Sequence, residues 1–177
     1  YFYDWFKERK EKRKRRLDEL KALTLIFEEL LDNVNRCCYY VELFWENPRG
    51  LSPTRLENDA WDANIGLFTT LTSNLDVENA LFRLKRQLNH IALQQDRALS
   101  MKNGSREMVA NFVKDKMDLL ISGIRTVGVY VDRISGDVAK TPIVTYSEEV
   151  EKLCLRSVPI RDLTHIENRA LTVSYTH

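Results

Sequence analysis

From Leu17 the apolar positions recur at Leu20, Phe27, Leu31, Val34, Cys38, Val41 and Trp45, in alternating steps of three and four with only Thr24 off type. That spacing keeps one face of a helix apolar and predicts a single long helix with a coiled-coil-like seam. The helix is expected to begin inside the basic run that precedes Leu17. It should stop before Asn47-Pro48-Arg49-Gly50, because Pro48 disfavours helix at the residue before it and Gly50 tolerates positive φ. About 40 residues would give a rod of about 60 Å.

Ser52-Pro53 reads as an N-cap followed by a first-turn proline. It predicts a short cross-helix from Thr54 to Gly66, then a polar connection over Thr69 to Asn74. Asn74 or Asp76 caps the next segment, whose seam is Val77, Leu81, Leu84, Leu88, Ile91, Gln95 and Ala98, ending at Asn103-Gly104. Ser105 is expected to cap a further helix with the seam Val109, Val113, Met117, Leu120, Ile124, Val127, Val131 and Ile134, stopped by Gly136. Gly123 and Gly128 interrupt its interior at about 1 kcal/mol each relative to alanine, which points to close approach of a neighbour. Beyond Gly136, Thr141 to Tyr146 looks extended, Ser147 starts a short helix to about Arg156, and Pro159 starts another.

Short turns between long helices force neighbours to run antiparallel. The expected fold is therefore all-α: an antiparallel up-down bundle of three long helices over 17–136, with a short cross-helix and a weakly helical C-terminal tail over 137–177. At 177 residues and 44 % hydrophobic content, one domain with a proper core is the natural outcome.

Charge is unevenly placed. Residues 1–16 hold eight Lys/Arg against Asp4, Glu8 and Glu11, which leaves +5; the whole chain is +1, so the remainder carries −4. A basic face spread over the body, as nucleic-acid binding would require, is thereby disfavoured, although a soluble bundle gripping nucleic acid through its basic N-terminal arm is the alternative reading. The aromatics Tyr1, Phe2, Tyr3, Trp5 and Phe6 directly precede Lys10, Arg13, Lys14, Arg15 and Arg16. This is the order found where a chain leaves a bilayer: rings at headgroup level, then cations on the cytoplasmic side facing anionic lipid. These residues form the candidate membrane-surface site of a juxtamembrane segment, 1–16. Because the chain opens at Tyr1, the expectation is a longer protein anchored by a segment upstream of residue 1, with this domain on the cytoplasmic face.

Catalytic and cofactor chemistry finds no constellation. There is no Glu-x-x-His for a carboxylate-bridged metal centre, Gly123 to Gly128 lacks the Lys-Ser/Thr of a phosphate loop, and Cys37, Cys38 and Cys154 form no C-x-x-C. His90 reads as a boundary residue beside the Leu88 and Ile91 seam; an enzymatic reading would need it to converge with Glu28, Asp32 and Asp118. Cys38 reads as a small buried hydrophobe rather than an acylation or redox site. Glu28, Glu29, Asp32, Glu42 and Glu46 read as a solvated acidic face. Tyr40, Phe44, Trp45 and Trp61 are expected to gather at the distal end of the bundle, either as an aromatic cap or as a groove for a protein partner. The expected role is a non-enzymatic interaction or signal-relay module without cofactor or metal, with an anionic membrane surface, an unidentified protein and a second copy as candidate partners.

Overall fold

The computed structural model describes residues 1–46, 55–100, 104–139 and 145–162. Among them are five helices: α1 (Phe2–Glu46), α2 (Asp59–Leu71), α3 (Leu75–Leu99), α4 (Gly104–Val138) and α5 (Ser147–Arg161). The expected turn signals at Asn47 to Pro53, the C-cap Asn103, the capping side chain of Ser105 and the extended stretch Thr141 to Val144 lie outside the described residues.

The helix α1 starts earlier than its seam implied. It is unbroken from Phe2, so the aromatic cluster is its first turns and residues 1–16 run into the body without a break in the helix. Its buried face also lies partly one residue away from the expected seam. Leu23, Phe27, Leu30, Val34, Cys37, Val41 and Phe44 are buried in steps of four and three, whereas Thr24, Leu31 and Trp45 sit at the edge and Leu17 is exposed. The cause is the number of neighbours. A seam suits one partner, but α1 packs against α2, α4 and α5 and makes lesser contact with α3, so a broad arc is covered.

The α3 seam from Val77 to Gln95 and the α4 seam from Val109 to Ile134 are buried as spaced, with Ala98 partly buried. Asn74 caps α3, its side-chain oxygen accepting the N–H groups of Asp76 and Val77 at 3.1 and 3.2 Å. Gly136 does not stop α4, which continues to Val138, because a glycine two residues from a helix end costs little. The interior glycines do admit neighbours. A Cβ on Gly123 would stand 3.3 Å from Leu84 Cβ; one on Gly128 would stand 3.1 Å from Val150 Cγ2 and 3.2 Å from Phe27 Cζ.

The tail corrects the sequence reading most clearly, since a single helix α5 runs through Pro159. Val150, Leu153, Cys154, Ser157 and Ile160 form a buried stripe at helical spacing, and Asp162 N–H still donates to the Val158 carbonyl. An interior proline costs about 3 kcal/mol, but here it is solvent-facing in the last turn and the packed stripe holds the helix together.

The helix α2 begins at Asp59 rather than Thr54 and extends through Thr69 to Leu71. Asn58 at its N-cap position makes no side-chain capping bond. The cap comes from another helix: Glu29 of α1 accepts the N–H groups of Ala60 at 2.7 Å and Trp61 at 3.0 Å. The residues leading into α2 are fastened to α1 by buried Asn33, which exchanges two hydrogen bonds with the Glu57 backbone, and by Arg36, which reaches the Arg55 carbonyl and Glu57.

Candidate functional site

The N-terminal end of α1 projects beyond the packed body. Every residue from Tyr1 to Leu17 is exposed, Phe2 by 76 % and Tyr3 by 80 %, and burial begins only at Glu19. Sixteen or so residues at 1.5 Å each make this overhang roughly 24 Å long. Large exposed aromatics ordinarily cost solubility, and here they cover one another in part: Phe2 and Phe6 meet edge to face at 4.9 Å, as do Trp5 and Phe6 at 5.1 Å. The Arg9 guanidinium lies 5.1 Å from the Trp5 ring centre, a cation–π contact one helical turn on.

The cations divide into two groups. Arg15 and Arg16 are drawn to the body, where Arg15 donates to the Thr70 carbonyl at 3.3 Å and Arg16 pairs with Asp137 at 3.1 Å. Both partners lie in the last turns of helices, α2 and α4, where positive charge is favoured by the backbone dipoles. Lys10, Arg13 and Lys14 remain exposed along the overhang. Tyr3, Phe6, Arg9, Lys10 and Arg13 form one wall of a groove of about 1240 Å³; residues 136–139 at the end of α4 form the other, with Asp137 its only acid. Arg16 lies at the base of the groove and already neutralises Asp137. Chemically, the groove offers several mobile cations beside aromatic surface, which suits phosphate-bearing amphiphiles.

The expected distal aromatic grouping is not one site. Tyr40 and Phe44 are core residues at 2 % and 3 % exposure, Trp45 is partly buried against the same core, and Trp61 is buried elsewhere. Trp61 stands beside Glu29, about 15 residues or roughly 22 Å down α1 from Phe44, edge to face with Phe82 at 5.4 Å and beneath the Lys85 ammonium at 5.3 Å. Burial there holds Lys85 below the usual lysine pKa, and its ammonium donates to Asn58 Oδ1. Sequence adjacency suggested that Trp61 and Trp45 would meet, but the placement of α2 is set by Glu29 and Asn33.

The acids of α1 are a solvated face only in part: Glu28, Asp32 and Glu46 are exposed and Glu29 and Glu42 half-buried, and Glu28, Glu29, Asp32 and Glu42 each hold a partner. Glu28 accepts the Tyr146 hydroxyl at 2.5 Å, Glu29 caps α2, Asp32 pairs with Arg36 at 2.9 Å, and Glu42 takes Arg156 through two bonds of 2.7 Å. Glu19 is buried and accepts the Tyr130 hydroxyl at 2.8 Å. Burying a carboxylate without a partner is costly. Exposed Asp32 takes Arg36 of its own helix, whereas buried Glu19 and half-buried Glu29 and Glu42 each take a donor on another element. Asp132 of α4 does the same for α5, accepting Tyr146 N–H at 2.8 Å and the Ser147 hydroxyl at 2.7 Å. A run of acids at helical spacing with few lysines nearby was the available signal for this role.

The residues considered for chemistry stay apart. His90 is exposed on α3, Glu28 and Asp32 are engaged as above, and Asp118 pairs with Arg161 at 3.2 Å. No group of three or more His, Cys, Asp or Glu capable of holding a metal occurs among the described residues. Cys37 and Cys38 are buried; burial pushes the Cys38 thiol up to about 12 and Cys37 higher still, and Cys38 lies 3.7 Å from the Met117 sulfur. No helix among the described residues is long and apolar enough to cross a membrane. Comparison with protein-family models, with curated proteins and with solved structures returned no match, so the functional reading rests on this geometry.

Proposed function

We propose that this chain is a non-enzymatic helical interaction or relay module held at the cytoplasmic face of a membrane, with the α1 overhang as its membrane-facing element. The observation that carries the reading is the overhang itself: an exposed helix whose first turns are aromatic and whose next turns carry cations that the body does not consume. Rings of this kind settle at headgroup level, and each Lys or Arg near an anionic surface contributes about 1 kcal/mol. The body is read as an antiparallel up-down bundle. Support comes from α2, which runs back along α1 with Asn33 beside Glu57, Glu29 beside Trp61 and Arg15 beside Thr70, and so supplies the stroke between α1 and α3. It comes also from α4 against α1, where Glu19 meets Tyr130 and Cys38 meets Met117 in opposite senses.

The test is co-sedimentation of the chain with phosphatidylcholine vesicles, with and without phosphatidylserine, over a salt series. Binding should require the anionic lipid and weaken as salt screens it. Failure to bind anionic vesicles at low salt would remove the membrane reading and leave a helical scaffold whose partners are proteins.

A further inference from the structure

Resting on the membrane reading, we propose that the overhang lies along the bilayer surface rather than standing across it, with the groove beside the end of α4 turned toward the anionic lipid headgroups. The carrying observation is a segregation of the acids around the helix, whose cations are found on every side. At about 3.6 residues per turn, Asp4, Glu8 and Glu11 fall within one narrow arc. Phe2, Phe6, Lys10 and Arg13 fall on the opposite side, and all but Phe2 line the groove. A helix passing straight through the headgroup layer would meet lipid on every side and gain nothing from such sorting. A helix lying in the plane gains twice, because Phe6, Lys10 and Arg13 face lipid and its acids face water. The groove's far wall agrees, since its acid, Asp137, is already paired with Arg16. Lipid phosphates entering the groove would therefore meet Lys10 and Arg13, while Lys12, which also lines it, is held by Glu8 at 3.2 Å.

This orientation makes opposite sides of the helix unequal at the same height along it. Glu8 and Glu11 alternate with Lys10 and Arg13 in sequence, so the two pairs are matched in distance from the body. A helix diameter of about 10–12 Å exceeds the Debye length of about 8 Å at physiological salt, so charges on the far side are largely screened from the surface. The experiment measures binding of the full chain to phosphatidylcholine–phosphatidylserine vesicles for K10Q/R13Q and for E8Q/E11Q, with circular dichroism confirming unchanged helicity. The expected results are a loss of about 30-fold for K10Q/R13Q, the worth of two surface contacts, and less than about threefold change for E8Q/E11Q. Quenching of tryptophan fluorescence by brominated lipid should fall when Trp5 is replaced by phenylalanine, because Trp5 is the exposed tryptophan on the flank of the overhang. Gain from E8Q/E11Q equal to the loss from K10Q/R13Q overturns the in-plane orientation while leaving membrane binding intact. No vesicle binding by the unaltered chain overturns both, and capture of an oligonucleotide or self-association in its place assigns the groove to that occupant instead.

Discussion

Arg156 on α5 grips Glu42 on α1 with two parallel hydrogen bonds, Nε to Oε1 and Nη2 to Oε2, both 2.7 Å, while its remaining Nη1 reaches Asn35 at 3.2 Å. Each of the ion-pair side chains is about one-third exposed, at 34 %, so water screens the pair and only part of its Coulomb energy survives. The fork geometry fixes the position of α5 on α1, and a lysine cannot reproduce it. Replacing Arg156 by lysine should cost about 1 kcal/mol in urea unfolding, and replacing it by alanine about 1–2 kcal/mol, the excess reflecting lost stem packing. Equal stability of all three proteins would show that the pair contributes nothing.

Glu29 should prove as important to α2 as a cap within the helix would be. Alanine at this position leaves the Ala60 and Trp61 N–H groups without their carboxylate, at a cost of about 1–2 kcal/mol, and glutamine retains part of the cap. Hydrogen exchange is the direct readout: the first turn of α2 should lose protection while α3 does not.

Two glycines should respond in opposite directions to alanine. Around Gly66, exposed in the middle of α2, nothing lies within 4 Å of a new Cβ, so alanine should stabilise the protein by about 0.5–1 kcal/mol through helix propensity. At Gly128 the same gain is opposed by buried Val150 and the Phe27 ring, which is itself wedged against Tyr146 at 5.0 Å. Neither can retreat freely, and Gly128→Ala should lower stability by about 1–2 kcal/mol. Thermal or urea unfolding of the two variants side by side decides the matter.

Tyr146 sets an alkaline limit. Burial, and after it the hydrogen bond to Glu28, raise its pKa well above the ordinary value. The unfolded tyrosine ionises near about pH 10, so above that pH the unfolded state holds fewer protons than the folded state and stability falls as pH rises. Below about pH 10 the contribution is complete. Between about pH 9 and 11 the unaltered protein should therefore lose more stability than Tyr146→Phe, which keeps the ring on Phe27 but has no proton to lose. Parallel slopes for the two proteins would contradict this account.

The helical periods of α3 and α4 were legible in the sequence because their buried stripes are narrow and repeat without interruption from Val77 to Gln95 and from Val109 to Ile134. The α1 stripe was legible only in part. Phe27, Val34, Cys38 and Val41 belong to both the expected and the observed face, but Leu23 and Leu30 are central instead of Thr24 and Leu31, and Cys37 joins Cys38, because several elements share that helix. Pro159 gave a sound local signal that tertiary packing overrode. The start of α2 was misplaced because its cap is a residue 30 positions earlier, and no local pattern encodes that distance. Glu29 and Glu42 were misread for the same reason: a carboxylate waiting for a donor on another helix looks, in sequence, like one facing water. At the candidate site the aromatics and cations read from the sequence are exposed, but the far wall of the groove and the diversion of Arg15 and Arg16 to helix ends appear only in three dimensions.

One continuous helix carries both the exposed aromatic turn at Phe2 and the clasp on Arg156 at Glu42, with the fastenings at Glu19, Glu28 and Glu29 strung between them. Such a helix behaves mechanically as an axle. With no break between Phe2 and Glu46, the aromatic end and the clasps on α2, α4 and α5 belong to one rod, so the placing of any one of them constrains the rest.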